Sequence, residues 1–486
     1  MNIYIIVKRA LVVCLLMPVL FSCSTYNTKL AAYYGQVRGG NYAKALHELD
    51  NSRFMNQKRN DLLYYFEKGK LFHLTHQYDS SNLYFNLADK FIDEAHKTVG
   101  DVAVGNLINP MVQAYRGEDF ESFLIHYYKA LNYYYLGKID DAVVEARRIS
   151  LTNNAQTDKF SNKATRYSKD AFMLNMQGIL YELSGDINNA FISYRNAVDA
   201  YTASGGTYYG VDMPLQLKKD VIKTSLSLGF TDEAARYKQQ FNLANNDIAD
   251  TASGSLVVFI EQGWAPEKRE QDFFLANNGN GISNFYYLDE GGNTVQVPFD
   301  VSYYKTIHPQ DVSASDFRTF RVAMPYYSPI TLSSPKATVV VNGTTYPTEM
   351  AENINSLAVN ILKERRFKEI ADAIARQIVK KLAEKGVEAG AREIAKNNSN
   401  EKDQTKKNQD AETAGAVAGL LVNLLNTATE KADTRNWQSL PAFITYTRIP
   451  LQKGQNNITL SSGGLQKTIT INSNGGLQLY NWCVGR

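Results

Sequence analysis

Residues 171–201, AFMLNMQGILYELSGDINNAFISYRNAVDAY, have the pattern of two antiparallel helices joined by a tight turn. Gly185 falls at the turn between the two helical runs. Gly178 and Ala190 are small enough to let the two helices approach closely. Tyr181 and Tyr194 are expected to fill the groove between the helices, and Leu174 stands where the pattern needs a bulky residue. Because such a unit cannot bury its apolar face alone, it predicts neighbouring units of the same kind.

The spacing of this stretch is typical of a tetratricopeptide repeat, apart from Gln177 and Thr202, which replace a Leu and a Pro. The same offsets fit further segments at residues 39–49, 66–88, 126–149 and 221–241. Gly40, Gly137 and Gly229 fall at the turn positions of three of them. The sequence therefore predicts a tetratricopeptide-like helical solenoid over residues 30–245.

The N-terminus has the features of an export signal. Lys8 and Arg9 precede an apolar run at 11–21, which is too short for a permanent membrane span. The run ends at Cys23 in a sequence that resembles a bacterial lipoprotein signal, so residues 1–22 are predicted to be removed and Cys23 to be acylated. An ordinary secretory leader and an N-terminal membrane anchor are the alternatives. Residues 23–29 are predicted to form a tether, with the body facing the periplasm from the outer membrane of the cell.

The pattern changes to strands after residue 254. The run SLVVFIEQG is rich in β-branched residues, and Asn342-Gly343 is typical of a hairpin turn. Strand patterns return after residue 438. The sequence predicts a discontinuous, sandwich-like β domain formed by residues 254–347 and 438–486. A helical insertion is predicted over 348–437, with helix from Thr348 onward and a mobile loop at 397–410. The predicted fold class is thus α+β and multidomain.

Composition and motifs give no sign of an enzyme. The net charge of +3 provides no electrostatic argument for binding nucleic acid. His73 and His76 are three residues apart, but a pair of ligands is a weak indication of a metal site and predicts a structural role. We expect no catalytic residue, metal or cofactor. The 31 tyrosines are expected to pack their rings between repeat helices while their hydroxyls reach water.

Three later segments support a family resemblance, together with HYYKALNYYYLG and VVEARR in the third repeat. They are GSLVVFIEQGWAPEKRE at 254–270, VAMPYY at 322–327 and ADTRNWQSLPAFI at 432–444. The chain resembles a family of bacterial lipoproteins that contain tetratricopeptide repeats. The resemblance implies a secreted, lipid-anchored protein with a repeat half and a second folded half, and it implies no reaction. From the residues alone, Asp433 and Arg435 are expected to pair, and Trp437 to anchor the returning chain.

Two classes of function remain open. The first is a noncatalytic scaffold or assembly factor, anchored in the membrane by its lipid, that holds an envelope protein partner through the repeat domain. The alternative is an accessory factor in the synthesis of envelope glycan or a secreted polymer, with a glycan-binding or hydrolytic β domain. The candidate partner contacts are Tyr201, Tyr208 and Tyr209, together with the groove side of the third and fourth repeats.

Overall fold

A computed structural model describes residues 25–97, 110–159, 167–244, 253–276, 283–288, 294–299, 319–328, 336–365 and 431–485. The N-terminal part is helical and the C-terminal part is rich in strands, which confirms the predicted order of the two kinds of structure. The predicted leader, Cys23 and the loop at 397–410 lie outside these ranges. Among the described helices, none combines the length and the apolar character needed to cross a membrane.

Successive helices pair into hairpins. The helices are α1 (Tyr26–Lys29), α2 (Ala31–Arg38), α3 (Tyr42–Asp50), α4 (Asp61–Leu74), α5 (Tyr78–Lys97), α6 (Glu121–Tyr135), α7 (Ile139–Lys159), α8 (Ala171–Leu183), α9 (Ile187–Ala203), α10 (Leu215–Ser227), α11 (Thr231–Phe241) and α12 over residues 354–365. Short 3₁₀ turns lie at Lys58–Asn60 and Pro110–Val112. The pairs α2–α3, α4–α5, α6–α7, α8–α9 and α10–α11 are each in contact.

The turns inside these hairpins share one geometry. Two positions after the last residue of the first helix, one residue adopts the left-handed region; these residues are Gly40, His76, Gly137, Gly185 and Gly229. The following amide then donates to a carbonyl five residues earlier, as in the 2.9 Å bond from the Asp186 nitrogen to the Tyr181 oxygen. This bond satisfies a carbonyl that the helix end leaves open. The predicted glycine turns are confirmed, and His76, with φ of 60°, takes the position in the second hairpin.

The paired helices of a hairpin pack closely at glycine and alanine positions that were predicted to be points of close approach. A Cβ atom added to Gly178 would lie 2.4 Å from the ring of Tyr194, and one added to Gly69 would lie 2.6 Å from the ring of Phe85. Ala190 is fully buried where α9 packs against α8. The absence of a side chain at Gly178 and Gly69 therefore sets how near the paired helices lie.

The strands of the described ranges form two larger sheets and three small pairs. They are β1 (Thr207–Tyr208), β2 (Val211–Asp212), β3 (Ser255–Gln262), β4 (Lys268–Ala276), β5 (Ser283–Leu288), β6 (Thr294–Phe299), β7 (Thr319–Tyr327), β8 (Ala337–Val341), β9 (Thr344–Pro347), β10 (Glu349–Asn353), β11 (Phe443–Pro450), β12 (Gly454–Ser462), β13 (Leu465–Ser473) and β14 (Leu477–Cys483). Within the described ranges, the inner sheet has the order β10-β11-β3-β14 and the outer sheet the order β13-β12-β8-β9. Strand β3 pairs antiparallel with β11 and parallel with β14.

Both faces of β3 are buried, which explains its continuous apolar sequence. Val257 and Phe259 on one face belong to the same core as the helices. Leu256, Val258 and Ile260 on the other face pack in a second core with residues of the outer sheet. The order of layers is therefore helices, inner sheet and outer sheet.

Two predicted boundaries are wrong. The predicted tether continues to residue 29, but Tyr26–Lys29 is a helix and Tyr26 is fully buried, with its hydroxyl 3.0 Å from the Asn436 carbonyl oxygen. Helix was predicted from Thr348, but Glu349–Asn353 forms β10 at the edge of the inner sheet and helix begins at residue 354. In both places a tertiary contact outweighs the local preference.

Candidate functional site

The predicted partner contacts lie mostly inside the molecule. Tyr201 is 2% exposed, so its prediction as a contact residue is wrong because its ring is part of the core. Tyr208 and Tyr209 are half-buried beside the short β1–β2 hairpin. The Tyr208 hydroxyl donates to the Lys169 carbonyl, and the Tyr209 hydroxyl donates to Glu364 Oε1 at 2.6 Å. Both hydroxyls are therefore already used within the chain.

The faces of the third and fourth repeats that were expected to form a groove are covered by the inner sheet. Helices α6 and α8 both contact β14, and the buried residues of α8 run without interruption from Ala171 to Tyr181. Asn175 Nδ2 donates to the Tyr446 hydroxyl of β11 at 3.1 Å. The prediction that a partner occupies this face is wrong, since the chain's own strands lie there.

The contact between helices and sheet contains a buried carboxylate, Glu261, at the end of β3. Lys70 Nζ of α4 donates to Glu261 Oε2 at 2.7 Å, and both side chains are at most 2% exposed. Four further groups donate to the same carboxylate: the hydroxyls of Tyr127 (3.3 Å) and Tyr128 (2.9 Å), Asn481 Nδ2 (2.8 Å) and Cys483 Sγ (3.0 Å). We call these six residues the Glu261 clamp. It joins α4 and α6 to β3 and β14.

The clamp fixes the charge states of its members. Burial would raise the pKa of Glu261, but the Lys70 charge and the hydrogen bonds outweigh burial and lower it to about 2. Next to it, burial and the Lys70 charge lower the pKa of His73 to about 4. His73 Nδ1 lies 2.7 Å from Asn132 Oδ1, and Nε2 lies 3.0 Å from Asn481 Nδ2. Nδ1 therefore donates to an amide oxygen and Nε2 accepts from an amide nitrogen, which is the pattern of a neutral imidazole.

His73, Glu261 and Cys483 place their ligand atoms within 4.8 Å of one another, which raises the question of a metal ion. A metal-bound cysteine must be a thiolate. Here burial and the neighbouring Glu261 charge raise the pKa of the Cys483 thiol. Lys70 Nζ also lies 3.7 Å from the sulfur, where a bound cation would be repelled. The donor set therefore does not fit a resident metal, and it fits an ion pair that closes the helix–sheet contact.

A second buried ion pair joins other elements. Arg448 of β11 contacts Glu182 of α8 at 2.7 Å and Asp220 of α10 at 3.0 Å. The Arg448 and Lys223 charges lower the pKa of Glu182 to about 2 against the effect of burial. Burial raises the pKa of Asp220 to about 6 in spite of Arg448. The helices are thus fixed to the inner sheet at several points along its strands.

A third contact has a different chemistry. Asp170 caps α8, since the Met173 amide donates to its Oδ1 at 2.8 Å, and the Tyr167 hydroxyl donates to its Oδ2 at 2.6 Å. Its side chain also hydrogen bonds to Glu352 of β10. Burial raises the pKa of both carboxyl groups, and the Asp170 charge raises that of Glu352 further. The hydrogen bond between them raises the pKa of Glu352 and lowers that of Asp170, which favours a protonated Glu352 that donates to Asp170.

Buried tyrosines recur in these contacts, and their hydroxyls reach carboxylates instead of the predicted water. The pairs are Tyr33 and Tyr34 with Glu67, Tyr115 with Glu121, Tyr127 and Tyr128 with Glu261, Tyr167 with Asp170 and Tyr194 with Glu182. A phenol supplies a large apolar ring and one donor, so it can satisfy a buried carboxylate without adding charge. The unusually high tyrosine count was the signal in the sequence, although it did not identify the partners.

The ADTRNWQSL segment returns the chain to the inner sheet as predicted. Arg435 is fully buried and pairs with Asp433 at 2.7 Å. Its guanidinium also donates to the carbonyl oxygens of Arg59, Pro110 and Gln113. The Trp437 ring stacks on Phe66 with ring centres 4.6 Å apart. The expected pair and the expected anchor are both confirmed.

Comparison with protein families found no family that matches this chain, and comparison with curated proteins found no match either.

Proposed function

We propose that this protein is a membrane-anchored periplasmic lipoprotein that acts as a noncatalytic scaffold or assembly factor for an envelope protein complex. In this proposal residues 30–245 form a tetratricopeptide-like solenoid, and residues 254–347 and 438–486 form a sandwich-like domain with an insertion at 348–437. Acylated Cys23 holds the body on the periplasmic side of the outer membrane. The repeated hairpin turns and the layered sheets support this reading.

The observation that carries the proposal is the Glu261 clamp. It closes one side of the helical layer with the chain's own inner sheet. The second helices of the hairpins keep exposed apolar residues, including Leu83 on α5 and Leu151 on α7, each 57% exposed. A rigid body with exposed apolar helix residues is suited to holding a partner. We therefore place the partner contact on the outer helices, with Tyr208 and Tyr209 at its margin.

Photo-crosslinking in cells tests this function. A photoreactive residue at position 83 or 151 should trap the same envelope protein in stoichiometric amounts. Changing Leu83 and Leu151 together to Gln should abolish recovery of that protein. The matched control changes Leu215 and Leu226 to Gln, because both are exposed leucines on α10, and it should leave recovery unchanged.

Two results would overturn the proposal. One is that the Leu83 and Leu151 double variant recovers the partner as well as the control does. The other is a hydrolytic activity that is lost when a single carboxylate is changed while the fold is intact.

A further inference from the structure

The first described helix is held tightly in the molecule. Tyr26 is fully buried, and its hydroxyl contacts Tyr34 and the Asn436 carbonyl oxygen. Asn27 donates to the Lys268 carbonyl at 2.9 Å and accepts from Gln438 at 2.6 Å. The start of α1 is therefore fixed to the strand-rich part of the chain.

This attachment limits how far the body can lie from an anchor at Cys23. Only Ser24 and Thr25 separate Cys23 from Tyr26. Three extended steps span at most about 10 Å. If Cys23 carries the lipid, the surface around α1 must lie against the membrane. The distance of about 10 Å is close to the range over which charges interact in physiological salt.

The surface beside α1 is a cleft of about 380 Å³. Lys29 and Arg53 line it, with the polar side chains of Asn51, Ser52 and Gln57. Glu48 is the acidic residue of its lining. Two more cations, Lys58 and Arg59, do not line the cleft but follow its lining residue Gln57 in a 3₁₀ turn. We call the two lining cations, Lys29 and Arg53, together with the adjoining Lys58 and Arg59, the basic cleft.

Two cations of the basic cleft, Lys29 and Arg59, are close enough to affect one another. Lys29 Nζ lies 5.0 Å above the ring of Phe54, which follows Arg53 in the sequence. Partial burial, together with the charges of Lys431 and Arg59, lowers the pKa of Lys29. Within the described residues, no ion pair involves Lys29, Arg53, Lys58 or Arg59, and the Lys58 charge acts against the effect of burial on the pKa of the nearby Asp61.

We propose that the basic cleft binds the head groups of anionic phospholipids in the membrane that carries the anchor. Phosphate oxygens are acceptors, and the cleft offers ammonium, guanidinium, amide and hydroxyl donors to them. The lipid at Cys23 brings the cleft to the bilayer, and the cleft then fixes the orientation of the body. This inference rests on the proposed anchor.

Hydrogen exchange of the natural protein in vesicles tests the inference. Vesicles of phosphatidylcholine are compared with vesicles that also contain phosphatidylglycerol. The amides of residues 51–60 should exchange at least about fivefold more slowly in the anionic vesicles. One basic residue near an anionic surface strengthens the attraction to the membrane by roughly that factor. The Lys29→Gln, Arg53→Gln and Lys58→Gln triple variant should lose this difference. The matched control changes the exposed residues Arg195, Lys453 and Lys467 to Gln and should keep it.

The mass of the N-terminal peptide, measured on the same preparation, separates the two proposals. If Cys23 is acylated and exchange is equal in both kinds of vesicle, the basic cleft is wrong and the anchor stands. If Cys23 is not acylated, the protein is sedimented with preformed vesicles. Binding to the anionic vesicles alone, abolished in the triple variant, would then support the cleft without the anchor. Equal binding to both kinds of vesicle, or binding to neither, would refute the cleft.

Discussion

Glu261 and Glu352 are both buried glutamates on inner-sheet strands that contact the helices, yet their surroundings differ. Glu261 faces Lys70 and four further donors, and its pKa falls to about 2. Glu352 faces the carboxyl group of Asp170, and burial and the Asp170 charge raise its pKa. The donors on neighbouring helices and strands therefore decide the charge of a buried carboxyl group, because burial alone raises the pKa of both glutamates.

Removing the cation from the first contact is expected to have the largest effect. Lys70→Met leaves Glu261 buried without a compensating charge, which typically costs about 3–5 kcal/mol of unfolding free energy. The control Lys138→Met removes a cation that is 50% exposed beside Asp79, and it should cost less than about 1 kcal/mol. Denaturant unfolding of both variants measures the difference. Equal losses would show that the Glu261 clamp contributes no more than a surface pair.

A change within one hairpin separates helix packing from the helix–sheet contact. Gly178→Ala puts a Cβ atom against the Tyr194 ring, and such overpacking typically costs about 1–3 kcal/mol. Gly35→Ala is the control, since nothing lies within 4 Å of the added atom. It should be neutral or stabilising by up to about 1 kcal/mol. Thermal unfolding checks both, and a Gly178→Ala variant that melts like the wild type would contradict the close approach of α8 and α9.

The two glutamates should respond to pH in opposite directions. The pKa of Glu261 is lowered in the folded state, so its contribution to stability is present above pH 4.5 and is lost as the pH falls towards 2. The pKa of Glu352 is raised, so its contribution is present below pH 4.5 and is lost as the pH rises through the folded value.

Glu352→Gln should therefore remove part of the fall in stability as the pH rises above 4.5, because the amide still donates to Asp170 without titrating. Urea midpoints measured over a pH series check this smaller effect. Glu48→Gln, at an exposed position on α3, is the control and should keep the wild-type slope. A Glu352→Gln slope equal to that of the wild type would mean that the pKa of Glu352 is not raised in the folded state.

The hairpins could be predicted because their determinants are local. Gly185 lies in a turn with positive φ, which glycine tolerates. Gly178 lies where a neighbouring helix approaches closely, which requires a small residue. The turn at His76 was not predicted, since histidine rarely adopts its φ of 60°. The β8–β9 hairpin was predicted from Asn342-Gly343, and both residues have positive φ.

The contacts between helices and sheet could not be predicted. Lys70 and Glu261 are 191 positions apart in the sequence, and no periodicity links residues at that distance. Tyr201 was chosen as a contact because it adjoins a glycine-rich loop, but that loop folds back as β1 and β2 and leaves the ring in the core. A local pattern specifies an element, whereas the partner of a buried charge depends on the tertiary fold.

Unfolding followed by two signals tests most directly whether the helices and the inner sheet form one rigid body. The three tryptophans, Trp264, Trp437 and Trp482, all lie in the strand-rich part, while far-ultraviolet circular dichroism reports mainly the helices. Coincident denaturant midpoints are predicted for the two signals, with Lys70→Met moving both by the same amount. Two separate midpoints, with Lys70→Met moving only one of them, would contradict a helical layer that is locked to the sheet by the Glu261 clamp.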